Sequence, residues 1–379
     1  MLPLLVGYDR KKIVQIYNQE EIRACWISYI DIQAILLDLD EESFRQKLSY
    51  MYDNVVANNM NTVIVQVRPM GDAIYPSSYF PWSTYISSKR KNPGYDPLEI
   101  MIELAHDKGL RFEAWINPYR LSHNDTTTNS FKGTKYYEIF QRYTIEYENS
   151  ADEVCLALDP SKEEAVQLIL CGVCEIVNNY EVDGIHFDDY FYVPGMADGL
   201  SQSQKMKNVN NLIKKVYYNI KCIDSDVSFG ISPAGNISYT MSQGTDIETW
   251  LSNEGYVDYI MPQIYWTDSY VAGDDLTSMF SNRCKEWTEL NKIGIPMYVG
   301  LALYRVGEES EVDLGWCACN TNLAEQYSKA VAYGYNGYSL FRYVWLEYDI
   351  ASVELKNLNM YVELNIAHSV GTSVYSMPH

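Results

Sequence analysis

Two adjacent carboxylates, Asp188 and Asp189, stand in the segment HFDDY at the end of the apolar run VDGIHFD. Such a run predicts a buried strand, so both acids are expected where that strand ends. Two carboxylates at a strand end repel each other unless something compensates them, and carboxyls with perturbed pKa values supply many general acids and nucleophiles. The pair therefore predicts carboxylate chemistry. The alternative is a purely structural role for Asp188.

Other polar side chains are predicted to point inward near strand ends, because side chains alternate with a period of two along a strand. By that alternation Gln66 shares a face with Arg68, and His186 shares a face with Asp188. The remaining polar or aromatic positions of this kind are Glu113, Trp115, Asn117, Ser232, Gln263 and Tyr265. Inward-facing positions of a sheet are normally apolar, so polar residues there indicate a ligand site. For Arg68, Glu113 and His186, a buried structural network is the alternative.

Aromatic residues are abundant, with 34 Tyr, 8 Trp and 10 Phe. Aromatic faces pack on the C–H faces of sugars, while hydroxyl, amide and guanidinium groups bind sugar hydroxyls. Each aromatic taken singly is more typical of a core, but as a group at one mouth they favour a polymeric glycan. Those that follow predicted strands are Trp26, Tyr75, Tyr79, Trp82, Tyr119, Tyr190, Tyr192, Tyr265, Trp266, Tyr304 and Trp316.

Several classes of enzyme lack their characteristic residues in this chain. None of the five histidines stands in an H-x-H or H-E-x-x-H pattern, which argues against the usual barrel metal hydrolase. No Lys stands at a predicted strand end for Schiff-base chemistry. There is no G-x-S-x-G elbow and no Walker or dinucleotide-binding loop. The eight cysteines are expected to be structural thiols. We expect no metal and no cofactor.

The balance of charge restricts the partners. The formal net charge is −21, and an acidic surface repels phosphate backbones and anionic headgroups, so neither nucleic acid nor a membrane surface is predicted. No stretch approaches the ~20 apolar residues that span a bilayer. The start, MLPLLVGYDR, is too short in its apolar part for a signal peptide, so the written chain is expected to be cytoplasmic or already processed.

These residues are carried by a repeated alternation of short apolar runs and longer helical stretches, which predicts a single (β/α)8 TIM barrel. Long loops follow the second and third strands, at residues 69–95 and 118–160. We expect an N-terminal extension over 1–20, the barrel over 21–360 and a C-terminal tail over 361–379. The predicted strands are residues 23–29, 62–68, 110–117, 182–188, 227–232, 257–265, 296–302 and 337–343.

Seven sequence blocks follow one another between about residues 21 and 345: RACWISY, NTVIVQVRPMGDAIYPSSYFPWS, YDPLEIMIELAHDKGLRFEAWINPYR, EIVNNYEVDGIHFDDYFY, FGISPAGN, DYIMPQIYW and YVGLALYR. Together they resemble the glycosyl hydrolase-like 10 family of bacterial (β/α) barrels. The resemblance implies action on cell-wall glycan, notably peptidoglycan strands stripped of their peptides, and members that are often exported or lipid-anchored. Glu113 departs from the family pattern, which has His there.

The segment DGIHFD is also similar to the D-G-x-R-x-D pattern of α-amylase-type barrels, whose last Asp is the nucleophile. By that analogy Asp188 is the nucleophile and His186 replaces the Arg. The leading hypothesis is therefore a glycoside hydrolase with paired carboxylates, in which Asp188 acts as nucleophile or as electrostatic stabiliser. Asp72 and Asp189 are the candidates for the second acid, with Glu113 as the third.

The predicted substrate is an oligo- or polysaccharide, with peptide-free peptidoglycan glycan as the form that the family suggests. One alternative is a glycan-binding barrel without hydrolysis, and another is an unrelated barrel lyase or isomerase. The oligomeric state stays open. The predicted substrate-binding residues are Arg68, Glu113, Trp115, Asn117, Arg120, His186, Tyr190, Asn236, Gln263, Tyr265 and Trp266.

Overall fold

The computed structural model describes residues 21–123, 131–132, 137–149, 151–193, 195–196 and 199–374, with side chains to residue 364. Its strands, in chain order, are β1 (Ile22–Ile27), β2 (Thr62–Arg68), β3 (Arg111–Ile116), β4 (Arg120–His123), β5 (Thr144–Glu148), β6 (Val154–Leu158), β7 (Gly184–Phe187), β8 (Ser228–Ile231), β9 (Tyr259–Ile260), β10 (Tyr270–Ala272), β11 (Asp275–Thr277), β12 (Val299–Leu301) and β13 (Gly337–Phe341).

Eight of these strands form one parallel sheet in the order β12-β13-β1-β2-β3-β7-β8-β9. Each overlaps a strand predicted from the sequence. The two ends of the sheet meet through isolated parallel bridges from Ile260 to Met297 and from Gln263 to Gly300. Backbone hydrogen bonds support this seam, among them Tyr298 N to Ile260 O at 3.0 Å and Gly300 N to Pro262 O at 2.9 Å. The sheet therefore closes on itself, and the predicted barrel is confirmed.

Helices cover the outside of the barrel. They are α1 (Tyr29–Leu36), α2 (Glu41–Ala57), α3 (Pro97–Asp107), α4 (Tyr137–Arg142), α5 (Glu163–Asn179), α6 (Gln202–Ile223), α7 (Ile237–Ser242), α8 (Ile247–Trp250), α9 (Met279–Leu290), α10 (Gly315–Ala318), α11 (Asn322–Ala332) and α12 (Ser352–Val374). Short 3-10 turns follow β12 and β13 at Leu303–Arg305, Tyr343–Glu347 and Asp349–Ala351.

The start of α3 illustrates how the sequence sets these boundaries. The Asp96 side chain accepts hydrogen bonds from the backbone N–H groups of Leu98 and Glu99, and Pro97 occupies the first turn. Gly109, with a φ of 70°, follows the helix in the left-handed region. Helix α5 begins differently, because its N-cap residue, Lys162, makes no side-chain hydrogen bond to the first turn.

The interior of the barrel contains large and polar side chains. Its apolar part is Ala24, Trp26, Ile64, Trp115, Tyr259, Met261 and Tyr298. A glycine on a neighbouring strand makes room for one of them, because a Cβ on Gly230 would lie 1.8 Å from the ring of Tyr259. The polar residues Gln66, Glu113, Asn117 and His186 are all 0–1% exposed. An interior of this composition needs hydrogen-bond partners throughout.

The long connections build walls beyond the carboxyl ends of the strands. In the connection after β2, a bridge joins Ala73 to Trp82. The connection after β3 is more ordered than its polar composition suggests, since it contains α4 and an antiparallel sheet in the order β4-β6-β5. A further hairpin, β10–β11, follows β9. In barrels of this type the active site is built from loops on this side of the sheet.

The two predicted terminal segments lie at the limits of the description. Residues 1–20 and 375–379 are outside the described residues. The backbone of α12 runs through residue 360, the predicted end of the barrel, and continues to Val374. Within the described ranges, no helix combines the length and apolarity needed to span a bilayer.

Candidate active site

Asp188 lies at the carboxyl end of β7 and is 3% exposed. Its Oδ2 atom accepts hydrogen bonds from Asn117 Nδ2 at 2.6 Å and from Trp115 Nε1 at 3.3 Å. Its Oδ1 atom accepts from the backbone N–H of Tyr190 at 3.3 Å. Burial raises the pKa of Asp188, whereas the positive charge of Arg120 and these three donors oppose the rise. The donors therefore favour the ionised form of this carboxyl.

A relay of amide groups orients the strongest of these donors. The backbone N–H of Tyr29 donates to Gln66 Oε1 at 2.9 Å, and Gln66 Nε2 donates to Asn117 Oδ1 at 2.6 Å. The oxygen of Asn117 is thereby engaged, so its amide nitrogen faces Asp188. The relay runs from the end of β1 through β2 and β3 to β7, and it fixes the side chain of Asn117 in a donating orientation.

Asp189 is half-buried and stands beside Asp188. Burial raises its pKa to about 7, and the negative charge of Asp188 adds to the rise. Because the charge of one carboxyl opposes ionisation of the other, the raised pKa of Asp189 means that the pair retains one proton up to near-neutral pH. Asp188 accepts the Asn117 and Trp115 side-chain donors as well as a backbone N–H, so it is the carboxyl of the pair better suited to carry the negative charge, and Asp189 is the one better suited to hold the proton.

Arg120 is the positively charged residue that acts on the pKa values of both carboxyls. It is 7% exposed, and its guanidinium carbon lies 4.0 Å from the centroid of the Tyr190 ring. Its charge lowers the pKa of both Asp188 and Asp189. In the described part of the chain it forms no hydrogen bond or ion pair, and its Nε atom is buried without a partner.

The mouth around the acid pair is lined by aromatic and amide groups from other strand ends. Tyr265 lies close enough for the charges of Asp188 and Asp189 to raise the pKa of its hydroxyl, in addition to the effect of burial. It packs edge-on against Tyr304, with ring centroids 5.9 Å apart. Gln263 donates from Nε2 to the Ser232 carbonyl at 2.8 Å.

Asn236 and Trp266, two of the predicted substrate-binding residues, contact other residues of the protein at the mouth. Asn236 caps α7 by accepting from the backbone N–H of Tyr239 at 3.0 Å. Trp266 packs over Gly235, where a Cβ would lie 2.9 Å from its ring. Both residues stand on the loops after β8 and β9, on the same side of the sheet as Asp188.

Below the mouth, His186 and Glu113 belong to a second network, which we call the barrel floor. His186 Nδ1 lies 2.7 Å from the Tyr259 hydroxyl, which donates to Glu113 Oε2. Arg111 Nε donates to Glu113 Oε1 at 3.0 Å. Burial lowers the pKa of His186 to about 3. His186 is therefore neutral, with Nδ1 donating to Tyr259, and its Nε2 faces Ser232 Oγ at 2.9 Å.

Two predicted site residues lie apart from the acid pair. A bulge shifts the register of β2, so Arg68 pairs with Ile116 and shares no face with Gln66. Its guanidinium carbon lies 3.5 Å from the Phe80 ring centroid, against Gly172 of α5. Asp72 is buried within the loop after β2 and is paired with Arg90, at 3.8 Å between Arg90 Nη1 and Asp72 Oδ2. The expected common face of Gln66 and Arg68 is therefore wrong.

Sequence reasoning did not place two further aromatics in the mouth. Tyr29, which follows β1, packs against Tyr85 with ring centroids 4.5 Å apart. Both rings lie close enough to Arg120 to interact electrostatically with its guanidinium. Tyr29 is the last residue of the predicted strand segment RACWISY, so its position at a strand end could have indicated that it lies at the mouth. Tyr85 lies in an irregular loop, and its sequence gives no such signal.

No metal site accompanies these groups in the part of the chain that the structure covers, where His, Cys, Asp and Glu side chains nowhere gather in threes that could hold an ion. The sequence model of one family, described as glycosyl hydrolase-like 10, matches residues 21–205 and 195–318.

The chain belongs to the glycosyl hydrolase-like 10 family.

Curated relatives of this glycosyl hydrolase-like 10 protein include two that are named glycosyl hydrolases. Glycosyl hydrolase YngK of Bacillus subtilis (strain 168) is 32% identical, over 95% of this chain and 73% of its own length. Glycosyl hydrolase DigH of Escherichia coli (strain K12) is 33% identical, over 70% of this chain and 67% of its own length. The predicted family and the predicted class of enzyme, a glycoside hydrolase, are thus confirmed.

Solved structures share the fold of this family member at low sequence identity. The PgaB (BpsB) glycoside hydrolase domain from Bordetella bronchiseptica superposes with a TM-score of 0.60 and 12% identity, covering 89% of this chain and 98% of that domain. Alpha-L-fucosidase isoenzyme 2 from Paenibacillus thiaminolyticus gives a TM-score of 0.55 and 14% identity, covering 93% of this chain and 50% of that one. At these identities the comparison supports the barrel fold alone.

Membership of the glycosyl hydrolase-like 10 family makes the identity of residue 113 informative. The resemblance leads us to expect His there, whereas this member has Glu113, which is compensated by Arg111 and Tyr259 within the barrel floor. The departure therefore falls in the floor, one layer below Asp188. It leaves Asn117 and Trp115, the donors to Asp188, in place.

Proposed function

We propose that this chain hydrolyses glycosidic bonds of a bacterial polysaccharide with Asp188 and Asp189 as its acid pair. One observation carries the proposal: adjacent carboxyls at the barrel mouth have different environments. Asp188 accepts three hydrogen bonds, whereas the pKa of Asp189 is raised to about 7. One ionised and one protonated carboxyl is the combination that glycoside hydrolysis needs.

In this mechanism Asp189 donates its proton to the glycosidic oxygen as the bond from that oxygen to the anomeric carbon breaks. The carboxylate of Asp188 stabilises the positive charge that develops on the sugar ring, or adds to the anomeric carbon. A water molecule then adds to the anomeric carbon, breaking the bond to Asp188 where one has formed, and the proton that this water loses returns to Asp189. Asn117 and Trp115 hold Asp188 in place throughout this sequence.

The proposed substrate is a polymer, and peptide-free peptidoglycan glycan is the first one to test. Aromatic rings surround the acid pair on several sides, with Tyr190 41% and Tyr304 36% exposed at the mouth. Exposed rings of this kind suit the C–H faces of successive sugars. The names of the curated relatives support hydrolysis of a glycosyl bond.

The test is incubation of the purified chain with peptide-free peptidoglycan strands and other bacterial glycans, with mass detection of the products. We expect fragments that have gained one water. The Asp188→Asn variant should lose about 10³-fold or more in kcat, because it loses the charge that stabilises the transition state. Asp226→Asn, an exposed acid near the amino ends of the strands, is the matched control and should retain full activity.

Other products would point to other functions. Binding without turnover by the parent chain would indicate a glycan-binding barrel, and unsaturated products without added water would indicate a lyase. If hydrolysis is seen, the configuration of the first product separates the two roles of Asp188. Retention would make it a nucleophile, and inversion would leave it as a charge stabiliser or base.

A further inference from the structure

The guanidinium of Arg120 is a buried cation without a partner in the described residues. The side chain is 7% exposed, and its Nε atom is buried without a hydrogen bond. Buried guanidinium groups are normally hydrogen-bonded or paired, because removing an uncompensated charge from water is unfavourable. A ligand that brings its own anion would satisfy this group.

The position of Arg120 favours a ligand in the mouth. One face of the guanidinium is covered by the Tyr190 ring at 4.0 Å, which leaves its N–H edges as the surface that can bind. The charge of Arg120 acts on Asp188, Tyr190, Tyr29 and Tyr147, so these groups surround it. A planar fork of N–H donors held flat against a ring fits a carboxylate with two parallel hydrogen bonds.

Asp188 does not take this role in the structure. The two groups form no ion pair, and the three hydrogen bonds to Asp188 come from Asn117, Trp115 and the backbone of Tyr190. Arg305, another arginine near the mouth, shows the contrast, because it is paired with Glu308 at 2.6 Å and with Asp313 at 3.0 Å. Of these two arginines, Arg120 is the one whose N–H groups are free to bind a ligand.

We propose that Arg120 binds a carboxylate carried by the substrate, so that the enzyme selects glycans built from acidic sugars. This inference rests on the proposed function, since it assigns the substrate class of the same mouth. The net charge of −21 opposes an anionic polymer at long range. Selection of such a polymer therefore requires a local cation, and Arg120 supplies it beside the acid pair.

Acidic sugars carry their carboxylate in two common ways: on the ring, as in uronic acids, or on a lactyl ether, as in the muramic acid of peptide-free peptidoglycan glycan. The experiment compares both. Peptide-free peptidoglycan strands and a uronate polysaccharide such as alginate are each supplied in native form and with their carboxyls reduced to alcohols. We expect kcat/KM for the native form to exceed that for the reduced form by about 10- to 100-fold in one arm. That arm identifies the source of the carboxylate.

Variants assign the preference to Arg120. In Arg120→Gln the native-to-reduced ratio should fall to near one, and in Arg120→Lys it should be intermediate, since the charge is kept and the fork is lost. Arg68→Gln is the matched control, because Arg68 is also a buried guanidinium stacked on a ring, with its Nε and Nη1 atoms unpaired, but it lies against α5 and not beside the acid pair. Its native-to-reduced ratio should equal that of the parent chain.

Three outcomes would overturn the proposal: no preference in either arm, cleavage confined to neutral glycans, or an Arg120→Gln variant that loses the same factor on both forms. The last would mean that Arg120 acts only through Asp188. If the parent chain cleaves nothing, hydrolysis fails as a function. The carboxylate preference is then read from calorimetric binding of the same four glycans to the parent chain and to Arg120→Gln, with the same expected ratios.

Discussion

The barrel buries carboxyl groups in two layers, and the two layers compensate them differently. In the floor, Glu113 receives a hydrogen bond from Arg111 on one oxygen and from Tyr259 on the other, so the protein supplies all its partners. In the mouth, Asp188 has donors, but Asp189 is half-exposed and Arg120 has no side-chain partner among the described residues. The floor carboxylate is therefore fully compensated by the protein, whereas the mouth has groups that a ligand can bind, and the mouth pair is the one that we propose to be reactive.

Asp189→Asn is expected to have the largest effect on kcat among the variants that test this difference between mouth and floor. Loss of the proton donor should lower kcat on a glycan by about 10²- to 10⁴-fold. An aryl glycoside with a good leaving group needs little protonation, so its hydrolysis should fall much less. Kinetics on the two kinds of substrate check this expectation, and equal losses on both would remove Asp189 from the role of acid.

The pH dependence of activity should follow the same residue. In the proposed mechanism the active form has its proton on Asp189, whose pKa burial raises to about 7. As pH rises through that value the proton is lost, so kcat/KM should fall by about tenfold per pH unit on the alkaline side. A profile that is flat from pH 7 to 9 would contradict the assignment.

Stability should respond to pH with opposite signs in the two layers. The raised pKa of Asp189 means that the folded state holds this proton more tightly than the unfolded chain, so its contribution is lost as pH rises from about 4 to about 7. The lowered pKa of His186, about 3, means that its contribution is lost as pH falls from about 6.5 to 3. Denaturant unfolding of Asp189→Asn against pH should lack the first trend and retain the second.

A smaller effect on activity is expected from the amide relay. Gln66→Met removes the group that holds the Asn117 oxygen, so the Asn117 amide is free to turn away from Asp188. We expect kcat to fall on the order of tenfold with little change in KM. Gln46→Met, on the exposed face of α2, is the control for the substitution itself. An unchanged kcat in Gln66→Met would show that the relay does not orient Asn117.

The smallest effect on activity is expected in the floor. Glu113→Gln weakens the pairing with Arg111, so the free energy of unfolding should fall by about 2–3 kcal/mol. The kcat of the folded protein should change by less than about threefold, because Glu113 touches no reacting atom. Glu103→Gln, which breaks an exposed ion pair with Arg45, should lower the free energy of unfolding by about 0.5 kcal/mol or less. A large loss of kcat in Glu113→Gln would show that the floor carboxylate also contributes to catalysis.

The sequence predicted the strands of this barrel well, because each is a short apolar run between helices with clear ends. It also placed Asp188 and Asp189 together, since they are neighbours in the chain. The alternation rule failed at Arg68, because a bulge after Gln66 reverses the side-chain direction and period-two reasoning assumes no bulge. Long-range pairings such as Tyr259 with Glu113 were out of reach, since nothing local in the sequence indicates which strands adjoin a given side chain.

The seam between β9 and β12 is expected to open locally more easily than the rest of the barrel sheet. It is held by isolated bridges, and Pro262 and Pro296 have no N–H to contribute to it. Amide hydrogens there, such as those of Ile264 and Gly300, are therefore expected to exchange with solvent sooner than those between β1 and β2. Because Gln263 and Tyr265 stand on this seam, we expect its local opening to widen the mouth on one side, where the proposed polymeric substrate would enter from the side of the barrel.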